Sequence, residues 1–365
     1  MKLRKVIFAA SVLFIVMISC TKKESTYEVS EANGIRITQN TGVPADSTFR
    51  IELKEVATIS LETETGYITP PDYDYHFDTS GNLYFVDYKT NKIHKYDTKG
   101  GSAAVFGGKG QGPGEFSVQP RIFVSGDTLY AAETNIRKVT KFDLNGKYLS
   151  EKMIPDIDKF PKSPIRIGKN YLCSSDYARM DEAGQRFSVI SVYVLNDKLD
   201  FIKEIYRDEK KVDLTQESDP SEQGVSITAG NGFAYLYVNS KTEYRIDVYD
   251  DDGNKVRSIR KNYIRIESGQ KEREWQEDFN KKTGMKFMTR FKNSIFNIRA
   301  DKYNRLWVTT NAEENEKGSN FDIFIDDIFR NRVRFYVEDG YLMQYVGKKI
   351  VAVNYQENKI KIYEY

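Results

Sequence analysis

The chain has 365 residues, with 55 basic and 53 acidic side chains and a formal net charge of +2. That balance provides no global field for nucleic acid or another polyanion. Two cysteines exclude a disulfide scaffold, and 13 % aromatic residues are enough core material for one large repetitive domain or two smaller ones.

The first element is a leader. Lys2, Arg4 and Lys5 precede an apolar run over residues 6–18, too short to span a bilayer comfortably. The run ends in "MISC", which resembles the lipobox of bacterial lipoproteins. The resemblance implies a signal peptide over 1–19, cleavage before Cys20 and lipidation of its thiol. It also implies attachment to a membrane of the cell envelope, on its periplasmic side or at the cell surface. Removing 1–19 leaves 52 basic against 53 acidic residues, close to neutrality. Residues 20–46 read as a tether. Cys173, in the apolar pattern "NYLCSS", reads as a small buried hydrophobe.

A repeat occupies the rest of the chain. A turn followed by an apolar, β-branched or aromatic run recurs as "GNLYFVD" at Gly81, "GDTLYAAE" at Gly126 and "GKNYLCSS" at Gly168. It returns as "NGFAYLYVN" at Asn231, "YNRLWVTTN" at Tyr303 and "GKKIVAVN" at Gly347. A second run follows most copies: "NKIHKYDTKG" at Asn91, "RKVTKFDLNG" at Arg137 and "YRIDVYDDDG" at Tyr244, with weaker copies at Phe187, Phe321 and Asn358. Asp-x-x-Gly and Asn-Asp endings are hairpin turn chemistry. Six units of about four short strands, spaced by roughly 40–45 residues, predict an all-β, six-bladed β-propeller of four-stranded antiparallel blades over residues 47–365.

The ends and the long intervals fit that count. The last unit supplies three strands, and residues 47–60, "STFRIELKEVATIS", form an orphan strand that completes it from outside and removes a sheet edge. Residues 207–224 read as a polar loop. Residues 270–293 read as a helical insertion, with Trp275 and Phe279 four apart on one helical face.

"GGKGQGPGEF", residues 107–116, invites a phosphate-loop reading. Its glycines are spaced by two throughout, so the G-x-G-x-x-G pattern fails at the last interval, and Pro113 removes a donor. No Gly-Lys-Ser/Thr follows. "FDTSGNLYFVDYKTNKIHKYDTKG" followed by "GKGQGPGEF" resembles NHL-repeat propellers and, more closely, the bacterial lipoproteins known as 6-bladed β-propeller proteins. The likeness is strong over 73–146 and traceable to Tyr365. It implies that the glycine-rich stretch joins the outer strand of one blade to the inner strand of the next.

The second strands end in Asp87, Glu133, Asp176, Asn239, Asn311 and Asn354. A ring of such oxygens could take Ca²⁺, and equally could cap turns through its own backbone. Asp74 and Asn297, at inner-strand openings, join Asp87, Glu133, Asn239, Asn311 and Asn354 as metal candidates. Arg121, Arg166 and Arg299, on inner strands, could fork around an anionic ligand if they converge. His76 and His94 are the only histidines, without zinc-ligand spacing. No Gly-x-Ser-x-Gly elbow and no basic, aromatic-interleaved strip occur. The expectation is a monomeric, membrane-tethered binding module that takes a protein or small molecule on its loop-rich face and needs no cofactor or nucleic acid. The alternative is a channel-site, metal-assisted hydrolase or lactonase, since calcium-dependent lactonases share the six-bladed fold.

Overall fold

The computed structural model describes residues 25–365 other than 65, 72, 73, 163, 214, 215, 302, 312–317, 338, 339, 347 and 348. The signal peptide, Cys20 and most of the loop that begins at Ala312 therefore lie outside the described residues.

Six antiparallel four-stranded blades follow one another along the chain, besides a small two-stranded sheet of Glu62–Thr63 and Gly66–Tyr67. Blade 1 holds His76–Phe77, Leu83–Val86, Lys92–Tyr96 and Ser102–Gly107. Blade 2 holds Arg121–Ser125, Thr128–Glu133, Lys138–Asp143 and Tyr148–Met153. Blade 3 is built from Ile165–Ile167, Asn170–Met180, Arg186–Leu195 and Phe201–Lys211. Blade 4 has Val225–Gly230, Phe233–Val238, Tyr244–Tyr249 and Lys255–Lys261, and blade 5 has Asn297–Ala300, Arg305–Thr310, Ser319–Ile325 and Ile328–Phe335. Blade 6 joins Leu342–Val346, Lys349–Asn354 and Lys359–Glu364 to Lys54–Ser60, which enters as its outer strand with Ile59 opposite Ile360. The second half of the orphan strand thus closes the ring as expected.

The second strands of blades 1, 2, 4 and 6 are buried on both faces, so their sequences are continuous apolar runs rather than alternations. The buried apolar side chains fall into six clusters, one in each gap between neighbouring blades. Each blade therefore depends on both neighbours for its core. The hairpin turns repeat one device. Asp97 Oδ1 accepts the N–H groups of Lys99 and Gly101, both at 2.8 Å. Asp143, Asp250 and Asp301 do the same for the residues two and four ahead. These backbone donors favour the ionised form and hold Asp97 and Asp143 below the ordinary carboxylate pKa.

The glycine-rich stretch is a blade-to-blade connection, from blade 1 to blade 2. It wraps Phe116, which is fully buried in the gap between them. Gly107 has φ +72°, and a Cβ there would lie 2.5 Å from the Phe116 ring. Its N–H groups are used internally: Gly110 donates to Phe116 O at 3.1 Å, and Gly112 donates to Glu115 Oε2 at 2.9 Å. The glycines serve close packing and not an anion.

The segment expected to be a tether is largely a hairpin. Tyr27–Ala32 and Ile35–Asn40 pair around the two-residue turn Asn33-Gly34, both at positive φ. The second of these strands lies parallel to Lys255–Lys261, which extends blade 4 to six strands. Asn40 is fully buried there: its Nδ2 donates to Arg260 O at 3.0 Å and Asp327 O at 3.1 Å, and its Oδ1 accepts from Phe329 N at 2.8 Å. The chain then crosses blade 5, with Ala45 N and Asp46 N donating to Phe329 O and Arg330 O. Phe49, Ile51 and Leu53 pack into the gap between blades 5 and 6. Residues 27–60 are a belt over blades 4, 5 and 6.

Other corrections concern the insertions. Residues 207–211 belong to the long outer strand of blade 3, so the polar loop is shorter than expected. The helix of the second insertion, Gln270–Thr283 (α1), stops at Gly284 in the left-handed region, and irregular chain follows to blade 5. Among the described residues no helix is long and apolar enough to cross a membrane.

Blades 4 and 5 are also joined by a buried ionic cluster. Asp322 is fully buried, paired with Lys261 and with Arg332 Nε at 2.7 Å, and accepts from Tyr244 Oη at 3.1 Å. Burial by itself would raise its pKa, but the two cations outweigh burial and hold it low.

Two outcomes follow from these contacts. Deleting residues up to Ser60 should abolish cooperative thermal unfolding, because blade 6 loses its outer strand and the gap beside blade 5 loses its filling. Deletion of 25–40 alone should lower the melting temperature and keep a single transition. Second, Asp322→Ala leaves Lys261 buried without its partner and should cost about 3–5 kcal/mol in denaturant titration.

Candidate functional site

In this topology the connections between blades and the turns from second to third strands share one end of the ring. The tall hairpin of blade 3, Asn170–Met180 with Arg186–Leu195, rises there, as does α1. The two consecutive insertions, before and after blade 4, are stitched together. Ser218 N donates to Lys286 O at 3.0 Å, and Met288 N donates to Ser218 O at 3.1 Å. Asp219 Oδ1 accepts from Ser221 N at 2.9 Å and Thr289 Oγ1 at 2.9 Å, and Asp219 also pairs with Lys241.

No residue of α1 is buried. Its Glu272 accepts from Gly269 N at 2.7 Å and caps the helix, while its second oxygen meets Lys292 Nζ at 3.0 Å. Its aromatic residues form a stack: Trp275 on Phe279 at 5.3 Å between centroids, and Phe279 on Phe287 at 5.7 Å. The stack holds Trp275 in place while leaving it 64 % exposed. Phe296, just before the inner strand of blade 5, is 73 % exposed.

Between α1 and the tops of blades 4 and 5 lies a cleft of about 530 Å³, with Trp275, Phe296 and Ile295 among its walls. Its polar lining includes Asn239, Asn293, Asn311 and Gln276. Asn239 Nδ2 and Asn293 Nδ2 both donate to Ser221 O at 3.0 Å, and Asn311 Nδ2 donates to Asn293 O at 2.6 Å. With an N–H so held, Asn239 and Asn311 retain their side-chain carbonyls as acceptors. Asn293 Oδ1 is buried and has no hydrogen-bond partner.

The sequence candidates separate. Asp87 Oδ1 accepts from Thr69 N at 3.0 Å and Lys89 N at 3.1 Å. Glu133, fully buried, accepts from Ser117 N at 2.8 Å and Val118 N at 3.1 Å and pairs with Lys138 Nζ at 2.9 Å. Asn354 Oδ1 accepts from Gln356 N and Glu357 N. Asn297 Oδ1 accepts from Ile298 N at 2.8 Å and from Ser226 Oγ. Asp74, at φ +97°, is held from neighbouring blades: its N–H donates to Gln344 Oε1 at 3.1 Å, and its Oδ2 lies 3.4 Å from Ile122 N. Of the seven, only Asn239 and Asn311 line the cleft together. Among the described residues no three His, Cys, Asp or Glu side chains cluster.

The arginines do not converge. Arg121 pairs with Ala132 on the side of blade 2 that faces blade 3, at the loop-rich end. Arg166 pairs with Tyr171 on the opposite wall of the same gap, near the tight turn, with Nε donating to Gly168 O at 2.9 Å and its guanidinium 4.9 Å from the Tyr171 ring. Arg299 pairs with Trp307 on the side of blade 5 that faces blade 6, and burial lowers its pKa. Strand alternation turns these side chains into inter-blade gaps at different levels. Cys173 is buried and its thiol pKa is raised by burial.

Residues 43–336 match the DUF5128 family, described as 6-bladed β-propellers, and the chain belongs to that family. Among solved structures it is similar to a DUF4221-family member from Bacteroides vulgatus, with 13 % identity, a TM-score of 0.50, and coverage of 86 % of this chain and 98 % of that one. A Bacteroides fragilis protein classed as exported has 14 % identity, a TM-score of 0.48 and coverage of 90 % and 98 %. Virginiamycin B lyase from Staphylococcus aureus has 12 % identity, a TM-score of 0.45 and coverage of 86 % and 99 %. At such identities the likeness is one of fold alone. No curated protein matches the sequence.

The hydrogen bonds predict the response to calcium. Asp87, Glu133 and Asn354 spend their oxygens on backbone N–H groups and on the neighbouring Thr90 and Lys138 side chains, so millimolar Ca²⁺ against chelator should leave the wild-type melting temperature unchanged. Glu133→Gln should melt lower in both conditions, since it removes the partner of Lys138. A calcium-dependent rise that Glu133→Gln removes would establish a metal site instead; a site filled at a hundredfold excess over its Kd adds about 2.7 kcal/mol.

Proposed function

We propose that the protein is an extracytoplasmic, lipid-anchored binding module that takes its ligand in the cleft beneath α1. The observation that carries this reading is the solvent-facing aromatic pair, Trp275 and Phe296, over an amide-lined cleft. Small-molecule sites are concave, with aromatic walls and a few fixed polar groups, in the range of about 300–1,000 Å³. The carboxylates that a channel-site hydrolase would need are engaged in turns. Anchoring through Cys20 is supported by the lipobox-like "MISC". Six residues separate Cys20 from the hairpin that begins at Tyr27. At full extension they reach about 20 Å, so the anchor would keep blade 4 close to the membrane.

The test has two parts. Cys20→Ser should abolish fatty-acid labelling and release the protein from the membrane fraction; retention in that fraction would reject the anchor. For the cleft, tryptophan emission is a direct readout, because the only other tryptophan, Trp307, is 2 % exposed. Ligands that shift this emission should be recovered chemically unchanged. Turnover of a lactone or ester with Ca²⁺, lost in Glu133→Gln, would replace the binding reading with the hydrolase one.

A further inference from the structure

The cleft's chemistry narrows the ligand class. We propose that it binds a neutral carbohydrate, a short oligosaccharide or a glycan end; this rests on the reading of the cleft as a binding site. Three features point the same way.

The first is the aromatic surface. Trp275 is exposed on a helix that contributes nothing to a core, and its stack on Phe279 and Phe287 fixes the ring. Phe296 adds a second exposed ring to the same cleft. A wholly apolar ligand would need an enclosed pocket, whereas these rings stand beside amides at an open mouth. A pyranose has an apolar C–H face and a polar edge, which suits a ring wall beside a polar floor.

The second feature is the polar complement. Asn239 and Asn311 present carbonyl oxygens, because each amide commits an N–H to a main-chain carbonyl. Gln276 has the reverse arrangement: its Oε1 accepts from Thr289 N at 3.0 Å, which leaves its N–H₂ to donate. Hydroxyl groups donate and accept at once, so they can satisfy both kinds of partner.

The third feature is charge. Glu272 and Lys292 line the cleft but neutralise each other at 3.0 Å. The lining holds one further cation, Lys271, which already has a partner of its own. An anionic ligand such as a phosphate, nucleotide or uronate would want a free guanidinium or ammonium, and the candidate arginines lie elsewhere.

The experiment is titration of the folded protein with maltohexaose, cellohexaose, xylohexaose and mannohexaose, alongside oligogalacturonate and an unstructured peptide library, read by tryptophan emission and calorimetry. At least one neutral oligosaccharide should bind and shift the emission. Trp275→Ala and Phe296→Ala should weaken it by about tenfold to a hundredfold, with unchanged melting temperature because both side chains are exposed. Trp275→Phe should keep part of the affinity. Salt should have little effect. If no neutral oligosaccharide binds, or if binding survives both alanine variants, the carbohydrate assignment is overturned. If instead the peptides or oligogalacturonate bind in a Trp275-dependent way, the ligand class falls and the binding module stands. If a sugar is cleaved, the binding-module reading falls.

Discussion

The pairing of Lys54–Ser60 with Lys359–Glu364 is the interaction on which the rest of the structure depends. It joins the strand that precedes blade 1 to the last strand of blade 6 and converts a curved row of sheets into a ring. A propeller blade has no core of its own; its apolar faces are covered by its neighbours, as the six inter-blade clusters show. If the last blade lacked its outer strand, an edge and parts of two gaps would face water together. Closing so long a loop costs only slowly growing entropy, but the contact is about as non-local as this chain allows. Such topologies fold slowly because the closure must be met before the contacts reward it.

The belt explains how that closure is reinforced. The Asn33-Gly34 hairpin adds to the outer edge of blade 4, Asn40 bonds to blades 4 and 5, and Phe49, Ile51 and Leu53 fill the gap that blades 5 and 6 leave partly open. Together with the Asp322 cluster, these contacts concentrate fastening between blades 4, 5 and 6. The cleft sits above blades 4 and 5, so its floor lies on the most heavily braced part of the ring. A site with fixed amides needs such a base, since a hydrogen-bonding geometry held only by loops would lose its preorganisation.

The scaffold also accounts for the variety of its candidate residues. Polar side chains at strand ends recur in every blade because each hairpin has orphan N–H groups to satisfy. Asp87, Glu133 and Asn354 are explained by that demand. Asn239 and Asn311 instead donate from their N–H₂ groups to the main-chain carbonyls of Ser221 and Asn293 and so leave their oxygens to the cleft. The difference between a turn cap and a lining residue is which half of the side chain the backbone takes.

The six-bladed architecture, the closing strand and the place of residues 107–116 between blades were legible in the chain itself. Their signals are local: Asp-x-x-Gly turns, apolar runs of strand length and a repeating interval, each set by backbone chemistry within a few residues. The hairpin at Asn33-Gly34 is also marked locally, by the Asn-Gly dipeptide, although the polar composition around it reads as a tether. The fate of the candidate side chains was another matter. Whether Arg121, Arg166 and Arg299 meet depends on register and level around a ring, and a one-residue change of register turns a side chain from one gap to the next. The cleft joins residues 221 to 311 through an Asp219–Thr289 bond between separate insertions. The folded blade 4 brings those insertions to one end of the ring, so Trp275 was visible in the sequence as a helix-face aromatic and became one wall of a site through tertiary structure alone.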